Sequence, residues 1–501
     1  MKELSVKLLS LLLAGLMLLS CLVACGEPTE SDPSDSQGES TQAAESNTET
    51  QDIAQVALDA LGEIDFGKKT FGVLYSENFK SEVYAENSIV DSSGGDDQVI
   101  NDAVYQRNTL LEELCNLTFE PIPSVDLKSD AHKAATGGIN DIYLIDSNAR
   151  EAADFASSGY LYNYLDLGVD VDQPWWDQGT ADFALNGKIF FMNGAVNFND
   201  DNLTYVLIFN KKMLEKYSAS IPNPYDTVLD WEWTLDYFNS IIQGISSDSN
   251  GDGTMDEKDT YGFVTTWEYG NTFFIGSDLR YIVNDRESDE PSLFLAEQSK
   301  MSKALEVLEL AQSIYHDNDA SYMSPPGYEN LGLEVFKGNR GLFYGEVASY
   351  LRAINRESET VFGVLPVPKY DKDQEFYRTW THESGSTLSA SSSIKDAETI
   401  GAILEAYAIL SYQCVKPAYY DITLTTKNIK DAESEKMLDI IFQNRVYDMA
   451  LYYNTAFGDY YPLFKTAVND NTDSFSSKYT SVAKNFSRKL SNFMRKLDKL
   501  K

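Results

Sequence analysis

The sequence predicts an α/β protein, a parallel sheet covered by helices. Three observations carry that prediction. A strand, a helix and a strand follow one another early in the chain. These are Phe71-Gly-Val-Leu-Tyr75, a helical face of Val104, Leu110, Leu111, Leu114 and Cys115, and the apolar run Asp141-Ile-Tyr-Leu-Ile-Asp146. Parallel neighbours need such a crossover, so the spacing reads as a βαβ unit. Alternation then continues through most of the chain. Finally, 501 residues with 43% apolar content supply core for about two or three domains and exclude wholesale disorder.

The chain opens with Lys2 and Lys7 ahead of an apolar run from Leu8 to Leu19. A basic start and a short apolar core read as an export signal, too short for a comfortable membrane span. Leu22-Val23-Ala24-Cys25-Gly26 resembles a bacterial lipobox, whose cysteine is acylated and becomes the mature N-terminus; Leu18-Leu19-Ser20-Cys21 is a weaker match. Residues 1–24 are therefore expected to be a lipoprotein signal peptide, with Cys25 lipidated and the body held on the extracytoplasmic face of the cell membrane. Residues 26–51 carry seven acidic residues, no basic ones and no aromatics. Such a segment cannot bury enough surface to fold, so 25–65 is expected to be a disordered tether. Its first 26 residues would reach ~25–30 Å. Cys115 and Cys414 remain beyond it, as two buried thiols or one bridge.

Further strands are expected at Phe119–Ile122, Lys188–Met192, Tyr205–Asn210, Tyr261–Thr265, Gly341–Tyr344 and Phe362–Leu365. Helices are expected at Leu235–Ile245, Lys303–Tyr315, Ala397–Tyr412, Ser434–Ala450 and Tyr479–Leu500. The body has no loose linker, so two lobes would have to be joined by crossing strands. The last helix is basic: residues 478–501 carry a net charge of +7 in a chain of formal net charge −38. Its apolar stripe is expected to pack on a second lobe, with its charges offsetting the acidic body. That acidity disfavours nucleic acid as a partner.

Several stretches, in order, resemble extracellular solute-binding proteins of carbohydrate-type ABC importers, the maltose-binding-like family. They are Gly159-Tyr-Leu-Tyr-Asn-Tyr-Leu-Asp166, Asn186-Gly-Lys-Ile-Phe-Phe191, Tyr205-Val-Leu-Ile-Phe-Asn-Lys-Lys212, Asn223-Pro-Tyr with Trp233-Thr-Leu-Asp-Tyr-Phe238, Gly338-Asn-Arg-Gly-Leu-Phe-Tyr344, and Gly363-Val-Leu-Pro-Val-Pro-Lys369. The resemblance implies a two-lobed, periplasmic-binding-protein-like (type II) fold with a crossing-strand hinge. By analogy lobe 1 is 66–200 plus 369–412, and lobe 2 is 205–365 plus 413–501. It also implies a monomer that is not an enzyme, which captures a solute, an oligosaccharide, and delivers it to ABC permease subunits.

Open α/β sheets bind ligands beyond the carboxyl ends of their strands. That rule selects Glu77, Asp146, Asn148, and Asn199, Asp201 and Asn202 near the first crossing. A sugar presents polar edges and apolar CH faces, so planar polar groups and aromatics suit it. Trp267, Tyr344, Glu346, Trp380, His382 and Glu383 are candidates on that ground. Trp231 and Trp233, at a helix start, are expected to be structural, and Trp175-Trp176 is ambiguous.

Asp248-Ser-Asn-Gly-Asp-Gly-Thr-Met-Asp-Glu-Lys-Asp259 reproduces a calcium loop. Asp248, Asn250 and Asp252 would supply side-chain oxygens, Thr254 its carbonyl, and Asp256 and Asp259 the rest. Position 12 is Asp where the EF-hand has Glu, and a strand follows, so this is no helix-loop-helix hand. A structural calcium ion is expected. Enzyme motifs are thin. Gly62 to Lys69 misses a P-loop by ending in Lys, and no G-x-S-x-G, H-E-x-x-H or C-x-x-C occurs. The alternative reading is a calcium-stabilised secreted glycosidase or polysaccharide lyase, for which no carboxylate pair stands out.

Overall fold

The computed structural model describes residues 53–77, 89, 98–285, 290–424 and 431–499. Residues 1–52, with the expected leader, Cys25 and most of the expected tether, lie outside them. Two five-stranded sheets organise the chain, each with helices on its faces. The first contains β1 (Thr70–Ser76), β2 (Thr118–Ser124), β3 (Ile142–Asn148), β4 (Phe191–Met192) and β13 (Ser386–Ala390), in the order β2-β1-β3-β13-β4. β1 runs parallel to β2 and β3, as the βαβ reading requires, and β13 is antiparallel to β3 and β4.

The second sheet contains β5 (Tyr205–Asn210), β6 (Tyr261–Thr266), β9 (Ser321–Ser324), β10 (Gly341–Val347) and β11 (Phe362–Leu365), in the order β11-β5-β10-β6-β9. β7 (Ile282–Asp285) and β8 (Glu290–Leu293) form a hairpin outside the sheets. β12 (Thr379–Trp380) pairs in parallel with β14 (Arg445–Val446). The chain passes from the first sheet to the second between β4 and β5, and returns between β11 and β13. It passes over once more after helix Ala397–Leu424, which packs on Gln98–Cys115 of the first lobe; the following Ala432–Gln443 packs on β11 of the second. The hinge is made of crossing segments, as the absence of a linker implied.

Local sequence accounts for the ends of these elements. Asn148 closes β3 and caps Ala149–Ser158, its Oδ1 accepting from the Glu151 N–H at 2.9 Å; Gly159 ends that helix in the left-handed region. Asn210 does the same after β5, accepting from the Met213 N–H at 2.9 Å. Helices thus begin at the carboxyl ends of the strands, where a ligand site belongs.

Five expectations need correction. Residues 53–61 are helical, with Ala54 and Leu58 buried and Ile64 and Phe66 packed in the same core, so the first lobe reaches back into the stretch assigned to the tether. The apolar spacing of that segment outweighs its acidic flank. Helix Ala397–Leu424 extends past Tyr412. The expected helix over 434–450 stops at Gln443, because Arg445–Val446 leaves to pair with β12. The basic C-terminal helix is two, Phe475–Ala483 and Phe486–Leu497. Lastly, residues 413–501 do not belong to lobe 2 alone. Asn454–Phe457 and Phe486–Leu497 pack on Ala149–Ser158 of the first lobe, whereas Tyr461–Asn469 packs on Gly270–Gly276 and Gln298–His316 of the second. One apolar cluster accordingly runs from Ile145 and Ala152 through Tyr453 and Phe457 to Phe464 and Phe274. Both remaining cysteines are free; burial pushes the Cys115 thiol up to about 12.

Gly401 marks a close helix contact in the first lobe, where helix Ala397–Leu424 meets Tyr164–Leu167. A Cβ there would sit 1.9 Å from the carbonyl oxygen of Leu167. Gly401→Ala should therefore destabilise the protein by about 1–3 kcal/mol, read as a lower denaturation midpoint with an unchanged slope.

Candidate functional site

The carboxyl ends of β3 and β6 meet the second crossing and the C-terminal helices in one cluster of charged and aromatic side chains. Arg150 comes from the first turn of the helix after β3. Trp267 and Glu268 follow β6, His382 and Glu383 lie between β12 and β13, and Tyr461 and Lys465 share one face of helix Tyr461–Asn469. The Lys465 ammonium lies 3.9 Å from the ring centroids of both Trp267 and Tyr461, and it is ion-paired with Glu268. The Arg150 guanidinium lies 4.7 Å from the Tyr461 centroid and is ion-paired with Glu383. Two cations, two carboxylates and two aromatic rings are thus interleaved between the lobes.

The hydrogen bonds give this cluster a direction. His382 Nδ1 accepts from the Ser384 N–H at 3.1 Å, so a neutral ring carries its proton on Nε2. That Nε2 is 3.3 Å from the Tyr461 hydroxyl, which in turn donates to Glu268. Burial drives the Lys465 ammonium below its usual range, against the opposing pull of Glu268; burial raises the Tyr461 hydroxyl, reinforced by Glu383 and Glu268. Glu383 is 1% exposed, and its Oε2 has no hydrogen-bond partner among the described residues, although it lies 3.8 Å from His382 Nδ1. The Arg150 side chain is 40% exposed, the most accessible of the paired groups.

The remaining candidates are spread over both lobes and the crossing between them. Burial lifts the Asp146 carboxyl to about 8, opposed by its hydrogen bond with Ser386. Asn199 Nδ2 donates to Ser386 Oγ at 3.1 Å, and Asp146 Oδ1 and Asn199 Oδ1 lack partners among the described residues. Asn148 spends its side chain on its helix cap. Asn202 Oδ1 accepts from Arg352 at 3.1 Å. Glu346 is also lifted to about 8 by burial, while it accepts from the Val347 N–H at 3.0 Å and the Thr266 hydroxyl at 3.4 Å. Asp201 turns to the hinge. There Arg445 reaches Asp177 at 2.7 Å, Asp201 at 2.5 Å and Asp200 at 3.5 Å.

Two candidates are placed differently from expectation, and a third, Glu77, stands at its strand end. Trp380 is fully buried, stacks on Tyr205 at 5.0 Å and donates its indole N–H to Thr272 at 3.1 Å, so it packs the hinge. Tyr344 is buried against Phe336 at 5.5 Å. Glu77 is exposed, and its N–H donates to Ser124 as β1 ends. The reason is common to the two aromatics: strand position identifies an end of a sheet but not the side on which a bulky group finds its core. Trp233 is buried as expected, its N–H donating to the Pro366 carbonyl at 3.0 Å. Trp231, also expected to pack, stacks on Tyr377 at 5.0 Å but stays 46% exposed. Arg150, Glu268, Tyr461, Lys465 and Arg445 escaped the sequence reading. Arg150 alone had a legible signal, standing two residues beyond the asparagine cap of β3.

The 248–259 loop is folded on its own amides. Asp248 accepts from the N–H groups of Gly251 and Gly253 at 2.6 and 2.8 Å, Asp252 from Thr254 at 2.9 Å, and Asp259 from Ser249 and Asp256 at 2.8 Å each. Among the described residues no three His, Cys, Asp or Glu side chains gather as a metal-holding group.

No family model and no curated protein matches this chain. Solved structures do. The cyclic α-maltosyl-1,6-maltose binding protein of Arthrobacter globiformis superposes with a TM-score of 0.54 at 13% identity, covering 85% of this chain and 100% of its own. An ABC substrate-binding protein of Listeria monocytogenes in complex with cycloalternan gives 0.52 at 12% identity, with 85% and 99% covered. This chain has their fold. The maltose-binding periplasmic protein of Listeria monocytogenes, solved with maltose, agrees at 0.52 and 13% identity, with 85% and 98% covered. The two-lobed architecture seen here is that of these solute-binding proteins, and the cluster at Arg150 and Lys465 occupies its interlobe junction.

Asp146 and Glu346 carry a pH signature. Their folded carboxyls, lifted to about 8, hold protons that the unfolded chain releases near 4. Folded protein then binds more protons than unfolded, so their contribution is present at low pH and is lost as pH rises toward 8. Melting temperature should fall from about pH 4 to about pH 8, the window between the unfolded and folded values, and level off above it; Glu346→Gln should reduce that fall.

Proposed function

We propose that this chain is the solute receptor of an ABC importer, lipid-anchored through Cys25, and that its solute is an oligosaccharide which it delivers to membrane permease subunits. The observation that carries the reading is the interlobe cluster. Trp267 and Tyr461 offer aromatic faces, and Arg150, Glu268, His382 and Glu383 offer donors and acceptors at their edges. Aromatic faces suit the CH surface of a pyranose, and planar charged groups suit its hydroxyls. The solute-binding proteins of the same fold, solved with maltose and cycloalternan, support the class of ligand. Each carboxylate of the cluster is held by a cation, which favours binding over acid catalysis.

Calorimetry with maltose, maltotriose and cyclic glucans should find at least one ligand, which raises the melting temperature at saturation. Arg150→Ala and Trp267→Ala should each weaken it at least about tenfold, or ~1.4 kcal/mol, with the fold retained. Silence toward neutral oligosaccharides would remove the oligosaccharide reading. Release of products from a polysaccharide, lost in Glu383→Gln, would establish the hydrolase alternative.

The spacing of the 248–259 loop supports a further, structural component, a calcium ion. Binding would exchange the amide partners of Asp248, Asp252 and Asp259 for the ion. Calcium at about 100-fold excess over Kd should then stabilise the protein by ~2.7 kcal/mol, and Asp252→Ala should abolish that response. A melting temperature indifferent to calcium and chelator would leave the loop a plain Asx-turn structure.

A further inference from the structure

The two C-terminal helices bury their apolar side and leave a basic one outside. Phe475, Tyr479, Phe486, Phe493 and Leu497 are buried; Phe475 packs on Phe274 and Phe464 of the second lobe, as expected, whereas Phe493 packs edge-on against Tyr453 and Phe457 where helix Phe486–Leu497 meets the first lobe. Lys478, Lys484, Arg488, Arg495, Lys496 and Lys499 are exposed, and Lys489 is half-buried. The sequence led us to expect these charges to offset the acidic body. They do not. Among the described residues, none of the seven is in an ion pair: Arg488 hydrogen-bonds Asn485, and Arg495 bonds Asn492 and the Ser491 carbonyl. Asp498, the lone acid of the segment, is taken by Asn186 at 2.7 Å. Lys489, Asn492 and Lys496 also line a surface groove with Ser157 and Thr455, whose acid, Asp154, accepts from the Thr455 hydroxyl at 2.8 Å.

A concentrated positive face on a chain of net charge −38 is complementary to an anionic surface outside the molecule. We propose that this face docks on anionic phospholipid headgroups, as a contact separate from the N-terminal lipid. The choice of a membrane over other anionic partners rests on the anchored reading above, which keeps the body beside a bilayer. The acidic remainder does not cancel the attraction, because at physiological salt charges beyond ~8–10 Å are screened while the basic face is in contact. The apolar stripe is already spent inside the protein, so the contact is electrostatic and shallow, not an inserted amphipathic helix.

The test uses the chain from Gly26 onward, without leader or lipidated cysteine, so that neither contributes to binding. Vesicles of phosphatidylcholine alone are compared with vesicles containing about one-third phosphatidylglycerol. With three or four cations at the surface, partitioning should favour the anionic vesicles on the order of 100-fold, and the preference should vanish near ~1 M salt. Replacing Lys484, Arg488, Arg495 and Lys496 together by Gln should abolish the preference and leave the melting temperature and oligosaccharide titration unchanged. Equal partitioning into both vesicles, a preference that survives salt, or one that survives the four substitutions would overturn the proposal. Should the quadruple variant fold poorly, the salt dependence of the unsubstituted face decides alone. A face that ignores anionic vesicles but captures polyglutamate would replace the lipid with an acidic protein surface.

Discussion

A guanidinium in the hinge holds the crossing segments together. Arg445 gathers Asp177 from the first lobe and Asp200 and Asp201 from the first crossing, while its own strand pairs with β12 on the second. Three carboxylates around one cation cannot all be charged at low cost away from water; burial raises Asp200, and its neighbours Asp201 and Asp177 push it further. Removing one partner of such a buried group costs about 3–5 kcal/mol, since the others are left unpaired. The relation of the two sheets is therefore set by charge as well as by packing.

From that hinge the placement of the C-terminal quarter follows. The strand that carries Arg445 sends the chain out between the lobes, so Asn454–Phe457 lands on one and Tyr461–Asn469 on the other. This brings Tyr461 and Lys465 to the ends of β3 and β6, where Arg150 and Glu268 already stand. The Arg150–Glu383 and Lys465–Glu268 pairs then satisfy one another's charge in a half-buried space, which solvent alone would not do. Buried carboxyls without a cation, Asp146 and Glu346, take the other course and hold their protons.

The acidity of the chain has separate roles in separate places. In the hinge and cleft, acids are matched to Arg445, Arg150 and Lys465. In the 248–259 loop they bind backbone amides. At the C-terminus the relation is inverted, and among the described residues the cations face outward with no acid paired to them. A net charge read from composition hides all three arrangements.

Periodicity and turn chemistry determined much of this protein unaided. β5 and β11 lie where their apolar runs end, the asparagines after β3 and β5 cap the helices they precede, and the crossing hinge follows from the missing linker. These are local properties, legible because neighbours in sequence are neighbours in space. The site was only half visible. Strand ends led to Asp146 and Asn199, and the needs of a sugar led to Trp267, His382 and Glu383, whereas Tyr461, Lys465 and Arg445 arrive from a segment more than 150 residues downstream of Trp267. Trp380 and Tyr344 share the composition of a sugar site and are buried instead. Which face a side chain presents, and which distant charge it meets, depends on how helices pack across the lobes, and only the tertiary structure decides that.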